Sequence, residues 1–145
     1  MTMSAPLPSP LPPWPDDDLA YVSLPASGDD GFPQAFLLQI QGVVYRLTLS
    51  VYYPDPDLIL NAAYAGVVFD LPDPVNGLYL NLRAEFENQS QATRLIGAQR
   101  VTLNIPIALG PLRFRFQRVR VAQANLVGPG AFGSSITADV AVANG

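Results

Sequence analysis

Between Leu112 and Val121 the chain reads Leu-Arg-Phe-Arg-Phe-Gln-Arg-Val-Arg-Val, and its alternation changes phase part-way along. Leu112, Phe114 and Phe116 are apolar on even positions, whereas Val119 and Val121 fall on odd ones. Successive side chains of a β-strand point to opposite faces, so a strand with one buried face must gain a residue near Gln117–Arg118. The stretch therefore predicts a strand with a β-bulge there, apolar on one face and lined on the other by Arg113, Arg115, Arg118 and Arg120.

Period-two patterning recurs through the chain. Phe36, Leu38 and Ile40 alternate with Leu37 and Gln39, then Gln41-Gly42 signals a tight turn, and Val43 to Tyr53 gives a long second strand. Asn76-Gly77 is a two-residue hairpin signal before Leu78, Leu80, Leu82, Ala84 and Phe86. Further strands are predicted at Gly66–Leu71, at Gln99–Ile105 with Val101, Leu103 and Ile105 inward, and at Ser135–Val142. Leu58 to Ala65 fits either a helical turn or an extended crossing. No stretch keeps a 3.6-residue apolar period over three turns. Fifteen prolines and eleven glycines punctuate the apolar runs, and 49% hydrophobic against 14% charged residues is ample for a packed core. The expected fold is all-β: a sandwich or barrel of about seven to nine mostly antiparallel strands. Residues 34–145 form the single β domain of this reading, and residues 1–33 an extended proline-rich arm with an acidic linker.

The arm holds Pro6, Pro8, Pro10, Pro12, Pro13 and Pro15, with Leu7, Leu11 and Trp14 between them. Proline fixes φ and pushes its predecessor out of the helical region, so a polyproline-like conformation is expected. Such a segment is either a tail or an arm that docks on another subunit, with Leu7, Leu11 and Trp14 as anchors; its stiffness lowers the entropy lost on docking. Asp16, Asp17 and Asp18, then Asp29 and Asp30, read as a solvated linker. No D-x-D-x-D-G loop with a closing glutamate is present, so no metal site is expected.

Residue types narrow the chemistry. The chain has neither histidine, cysteine nor lysine. That removes the usual general base, thiolate nucleophiles and metal ligands, disulfides, and Ser-Lys or Schiff-base mechanisms. Glu85 and Glu87 have a spacing that could pair carboxylates, but Arg83 shares their face and the arginine strand is a natural cross-strand partner, so a salt-bridged surface is expected. There is no Walker or dinucleotide fingerprint. No catalytic residue and no cofactor is expected, and the protein reads as a non-enzyme. The opening Met-Thr-Met-Ser-Ala-Pro lacks a basic and then an apolar region, so no signal peptide is expected there. No apolar run approaches about 18 residues, so no membrane-spanning helix is expected.

Net charge is −4, but it is segregated: residues 1–75 carry −8 and residues 76–145 carry +4. The arginine face has three readings. It pairs internally with Glu85, Glu87 and Asp139; it binds phosphate or nucleic acid, which the acidic remainder opposes; or it receives carboxylates from a neighbour, such as the next subunit's Asp16, Asp17 and Asp18. Lacking lysine, the chain must guard its sheet edges by closure, by proline or by pairing with neighbours.

Ile40-Gln41-Gly42-Val43-Val44-Tyr45-Arg46-Leu47 resembles the opening hairpin of a family of small phage-tail proteins, the baseplate plug proteins of the cyanophage type. Gly77-Leu78-Tyr79-Leu80-Asn81-Leu82 is similar to its following aromatic-bearing strand, and Leu95-Ile96-Gly97 with Val101 to Ile107 to its next loop and apolar strand. The likeness spans roughly residues 34–116; the Pro-Asp-Pro segment at 54–75, the arm and the arginine strand depart from it. The resemblance implies a non-enzymatic virion protein assembled in the host cytoplasm. In that role it is a baseplate plug or hub-associated subunit that closes the tube end, with copies of itself and other tail proteins as partners, and neither nucleic acid nor membrane. The alternatives are a capsid decoration protein and a carbohydrate-binding sandwich using Trp14, Tyr52, Tyr53, Tyr64 and Tyr79.

Overall fold

A computed structural model describes residues 19–87, 94–128 and 133–143. Its strands are β1 (Val22–Ser23), β2 (Gln34–Ile40), β3 (Val43–Tyr52), β4 (Val68–Asp70), β5 (Tyr79–Phe86), β6 (Arg94–Arg100), β7 (Ile107–Leu109), β8 (Leu112–Ala122) and β9 (Ser135–Val142). They form two antiparallel sheets. One has the order β2-β3-β5-β6; the other has the order β1-β9-β8-β4, with β7 also on β8. The sheets do not close into a barrel, so the fold is the sandwich alternative of the expected all-β class.

Alternation explains how the layers meet. Tyr45, Leu47, Leu49 and Val51 of β3, with Leu80, Leu82 and Ala84 of β5, bury one face of the four-stranded sheet. Phe114, Phe116, Val119 and Val121 of β8, with Ala138 and Val140 of β9, bury the facing side of the other. All of these belong to a single core. Rings of Phe114 and Phe116 lie 6.4 Å apart, stacked along the strand.

The β8 bulge lies where the change of phase requires it. Against β9 the register runs Phe116↔Ala138 and then Arg118↔Thr137, which leaves Gln117 as the extra residue. Phe114, Phe116, Val119 and Val121 are all buried on one face. β8 is also the central strand of its sheet. β9 follows one edge, while β7 and β4 share the other, at its two ends. Between them Asn104 N donates to Phe116 O (2.8 Å) and Leu71 N to Val119 O (2.9 Å), so both edges of β8 are engaged along its length.

The β2–β3 hairpin turns through Gln41 (φ 52°) and Gly42 (φ 81°), two left-handed residues whose twist matches that of the flanking strands. Leu58 to Ala65 resolves into helical turns: a short helix, α1 (Asp57–Leu60), buries Leu58, and a 3-10 turn follows at Ala62–Tyr64.

Several expectations are corrected. The strand predicted at Gln99–Ile105 runs instead over Arg94–Arg100. Val101 N donates to Leu80 O in one sheet and Asn104 N to Phe116 O in the other, so Val101–Asn104 is the crossing between the layers. Asn104 takes φ 61°, which ends the extended run and leaves Ile105 57% exposed rather than inward. Asn76-Gly77 is not a two-residue hairpin. It closes a four-residue turn between Asp73 and Leu78, and this turn carries the chain from β4 in one sheet to β5 in the other. The Asp73 carboxylate organises the turn by accepting from Val75 N, Asn76 N and the Asn76 side chain.

The sheet structure also begins before residue 34, and the acidic linker is not simply solvated. β1 pairs with β9, Leu24 and Phe32 are in the core, and Asp29 Oδ1 accepts from Ser134 N at 2.9 Å. Gly28 lies so close to Ser134 that a Cβ there would sit 2.7 Å from its backbone. Residues 88–93, whose sequence Asn-Gln-Ser-Gln-Ala-Thr reads as a polar loop, and Pro129 and Gly130, in a glycine-rich stretch from Gly128 to Gly133, lie outside the described residues.

Candidate docking surfaces

Because the bulge restores the phase, all four β8 arginines project from the face opposite the core. Their environments differ. Arg113 donates to the carbonyls of Gly110 and Leu112 and so secures the β7–β8 turn. Arg115 lies 3.6 Å from Asp139 on β9, and its guanidinium sits 3.5 Å from the centroid of the Tyr21 ring. Gln117, the bulged residue, donates to the same Asp139 carboxylate. Arg120 Nε lies 3.0 Å from Asp70 Oδ1 on β4, but its N–H is not aimed at that oxygen. With both side chains well exposed, this is a Coulombic contact of small value. Arg118 is exposed, and among the described residues it has no ion-pair partner.

The sequence reading is therefore right about Asp139 and wrong about the glutamates. Glu85 and Glu87 belong to the other sheet, where no β8 arginine can reach them as a strand neighbour. Glu85 pairs with Arg83 (3.6 Å), and Glu87 accepts two bonds from Arg46, at 3.0 and 3.4 Å. The hydrogen bond to Glu87, followed by the charge of the same group, raises the pKa of Arg46 above its ordinary value. The arm residues Leu7, Leu11, Trp14, Asp16, Asp17 and Asp18 lie outside the described residues. Among those described, no three carboxylates gather as a metal site.

A second surface joins two of the tyrosines named as sugar-stacking residues, Tyr52 and Tyr79, to an arginine that was not named with them. On the outer face of the four-stranded sheet Tyr52 of β3 is the register partner of Tyr79 of β5, and their rings stack at 4.8 Å with planes 24° apart. From β6, on the other side of β5, the Arg100 guanidinium lies 3.8 Å from the centroid of the Tyr79 ring. The row Tyr52–Tyr79–Arg100 forms one wall of a cleft of about 420 Å³; Pro54, Pro74 and Gly77 help to form the rest. Gly77 (φ 74°) permits the close approach, since a Cβ there would lie 2.9 Å from Pro54 Cγ. Each residue was visible in the sequence, but which three strands lie side by side was not. The other proposed sugar-stacking tyrosines are placed differently: Tyr64 packs at 6.1 Å on Phe69 against the core, and Tyr53 is partly buried there too.

The β2 edge is a third feature. Gln-Ala-Phe-Leu-Leu-Gln-Ile forms a terminal strand of seven residues with no charge and no proline. Its outer edge pairs with no other strand among the described residues, and Leu37 beside it is 53% exposed.

Comparison with protein-family models, with curated proteins and with solved structures finds no match for this chain.

Proposed function

We propose that the protein is a non-enzymatic structural subunit of an assembly, and that the assembly is the one the hairpin and strand motifs suggest: a phage tail, with the chain as a baseplate plug or hub-associated subunit. The observation that carries the assembly reading is β2. A long, uncharged, proline-free edge strand is a template for pairing with another chain, and proteins that work alone blunt such edges with charges, proline or a bulge. Here the edge has none of these. The exposed Arg118, on the far side of the sandwich, offers a fork that binds a neighbour's carboxylate in bidentate fashion. An edge on one layer and a guanidinium on the other are different patches, and contact between unlike patches generates rings or stacks.

The double variant Ala35→Lys/Gln39→Lys places two ammonium groups on the edge strand opposite the neutral Thr48 and Val44. Light scattering should show wild-type oligomers and a monomeric variant with an unchanged circular dichroism spectrum. Arg118→Glu should weaken assembly and its dependence on salt while leaving folding intact. Labelled particles should carry the protein at the distal end of the tail. Label on the head would assign it to capsid decoration instead, and its absence from particles would overturn the virion reading.

A further inference from the structure

The cleft beside Tyr52 and Tyr79 has the chemistry of a polyproline receptor. Polyproline segments are recognised by grooves walled with aromatic rings, whose flat faces pack against the pyrrolidine ridges, and by donors that reach the free main-chain carbonyls. Tyr52, which is exposed, and the edge of the Tyr79 ring, whose faces carry Tyr52 and Arg100, supply the aromatic wall, and Pro54 and Pro74 the apolar rim. Arg100 is an exposed residue whose guanidinium is held over the Tyr79 ring, so it can donate without being ordered anew on binding. Val75, in the turn that carries Pro74, is 89% exposed, an apolar side chain with nothing described upon it.

The same chain carries a segment of matching chemistry. Residues 1–15 hold six prolines, Pro6 to Pro12 at every second position, with Leu7, Leu11 and Trp14 and no charged side chain. The arm brings no charged side chain to be desolvated; the charges at the cleft are the cleft's own Arg100 and Asp73, the latter already accepting from Val75 N, Asn76 N and the Asn76 side chain. Proline carbonyls, lacking N–H partners of their own, suit the arginine donor.

Geometry indicates whose arm it is. The described chain begins at Leu19, and Tyr21 lies on Arg115 at the outer face of the five-stranded sheet. The cleft opens on the outer face of the opposite sheet. To enter its own cleft the arm would have to bend round the sandwich, against the stiffness of a proline run. A polyproline segment of fifteen residues spans roughly 47 Å at about 3.1 Å per residue, long enough to leave its own subunit.

We propose that the Tyr52–Tyr79–Arg100 cleft is the docking site for the proline-rich arm, residues 1–15, of a second copy of this chain. The proposal rests on the assembly reading only in requiring that two copies meet; it names a different surface from the β2 edge.

The test uses the lone tryptophan. Full-length protein carrying Trp14→Phe has no tryptophan, so a synthetic peptide of residues 1–15 reports its own binding through Trp14 emission. A saturable blue shift is expected on titrating protein into peptide. Tyr79→Ser in the same background should weaken binding about tenfold or more, as loss of a central aromatic anchor does, while Tyr79→Phe, which keeps the ring, should bind as before. In wild-type protein, Trp14 emission should shift to the blue as concentration rises, and excess peptide should reverse this. No shift with the peptide, equal binding by Tyr79→Ser, or a blue-shifted Trp14 in a monomer at every dilution would each overturn the proposal, the last by showing the arm in its own cleft. Oligomers abolished by Ala35→Lys/Gln39→Lys with no peptide binding would sink the cleft and leave the assembly reading standing. Peptide binding by a chain that never enters particles would leave the cleft standing and sink the virion reading.

Discussion

Gly77 and Gly42 show how two turn glycines with similar backbone angles come to matter differently. Both have positive φ, which costs any residue with a Cβ. Gly42 has open space around its Cβ position, whereas Gly77 faces Pro54. Gly42→Ala should therefore cost about 1 kcal/mol and Gly77→Ala about 2 kcal/mol or more, read as a shift in urea midpoint at constant m-value. Tyr45 gives a pH dependence. It is 2% exposed, and burial raises its phenol pKa above the ordinary 10.0. The folded state thus keeps a proton that the unfolded chain loses. Its contribution is complete below pH 10 and is lost as pH rises through the folded value. Tyr45→Phe should remove part of the alkaline fall in stability and leave neutral pH little changed; identical alkaline limbs for the two proteins would refute this. Phe116→Ala, in the centre of the core, should cost about 3–5 kcal/mol, whereas Arg118→Ala on the surface should stay within about 0.5 kcal/mol.

At the scale of the element, β8 makes the sharpest claim. Removing Gln117 joins Phe116↔Ala138 directly to Arg118↔Thr137, and the remaining sequence then alternates without a break. A chain lacking Gln117 should fold with its four apolar residues still inward, at a cost near 1 kcal/mol for the altered twist. Removing Val119 instead puts an arginine into the core whether or not the bulge survives, and that chain should not fold. Comparable circular dichroism and melting for the two deletions would show that the bulge is not what sets the phase. The bulge has a functional side as well. It is where the arginine face changes neighbours, from Asp139 on β9 to Asp70 on β4, and Arg118 stands between the two pairs.

Across the whole molecule the two sheets share one core and are joined by crossings at Val101–Asn104 and at the turn between β4 and β5. Thermal unfolding followed in the far and near ultraviolet should therefore give coincident transitions, whereas two midpoints would mean that the layers part independently. Much of this was legible beforehand. Alternation is local: the direction of each side chain follows from its position along the strand, so Phe114, Phe116, Val119 and Val121 could be assigned to one face, and the bulge deduced, from ten residues alone. The Gln41-Gly42 turn was equally readable, because positive φ is demanded by the turn itself. Which strands lie side by side was not, since a period-two pattern fits any neighbour. Tertiary packing set Glu85 and Glu87 in the sheet away from the arginine strand, moved the sixth strand forward to Arg94–Arg100, and made a sheet crossing of the Asn76-Gly77 turn. It also aligned Tyr52, Tyr79 and Arg100, residues far apart in the chain, into one wall. By itself the sequence determined the layers' faces; the tertiary structure decided who meets whom, because pairing is chosen by the burial of a shared core rather than by any one strand.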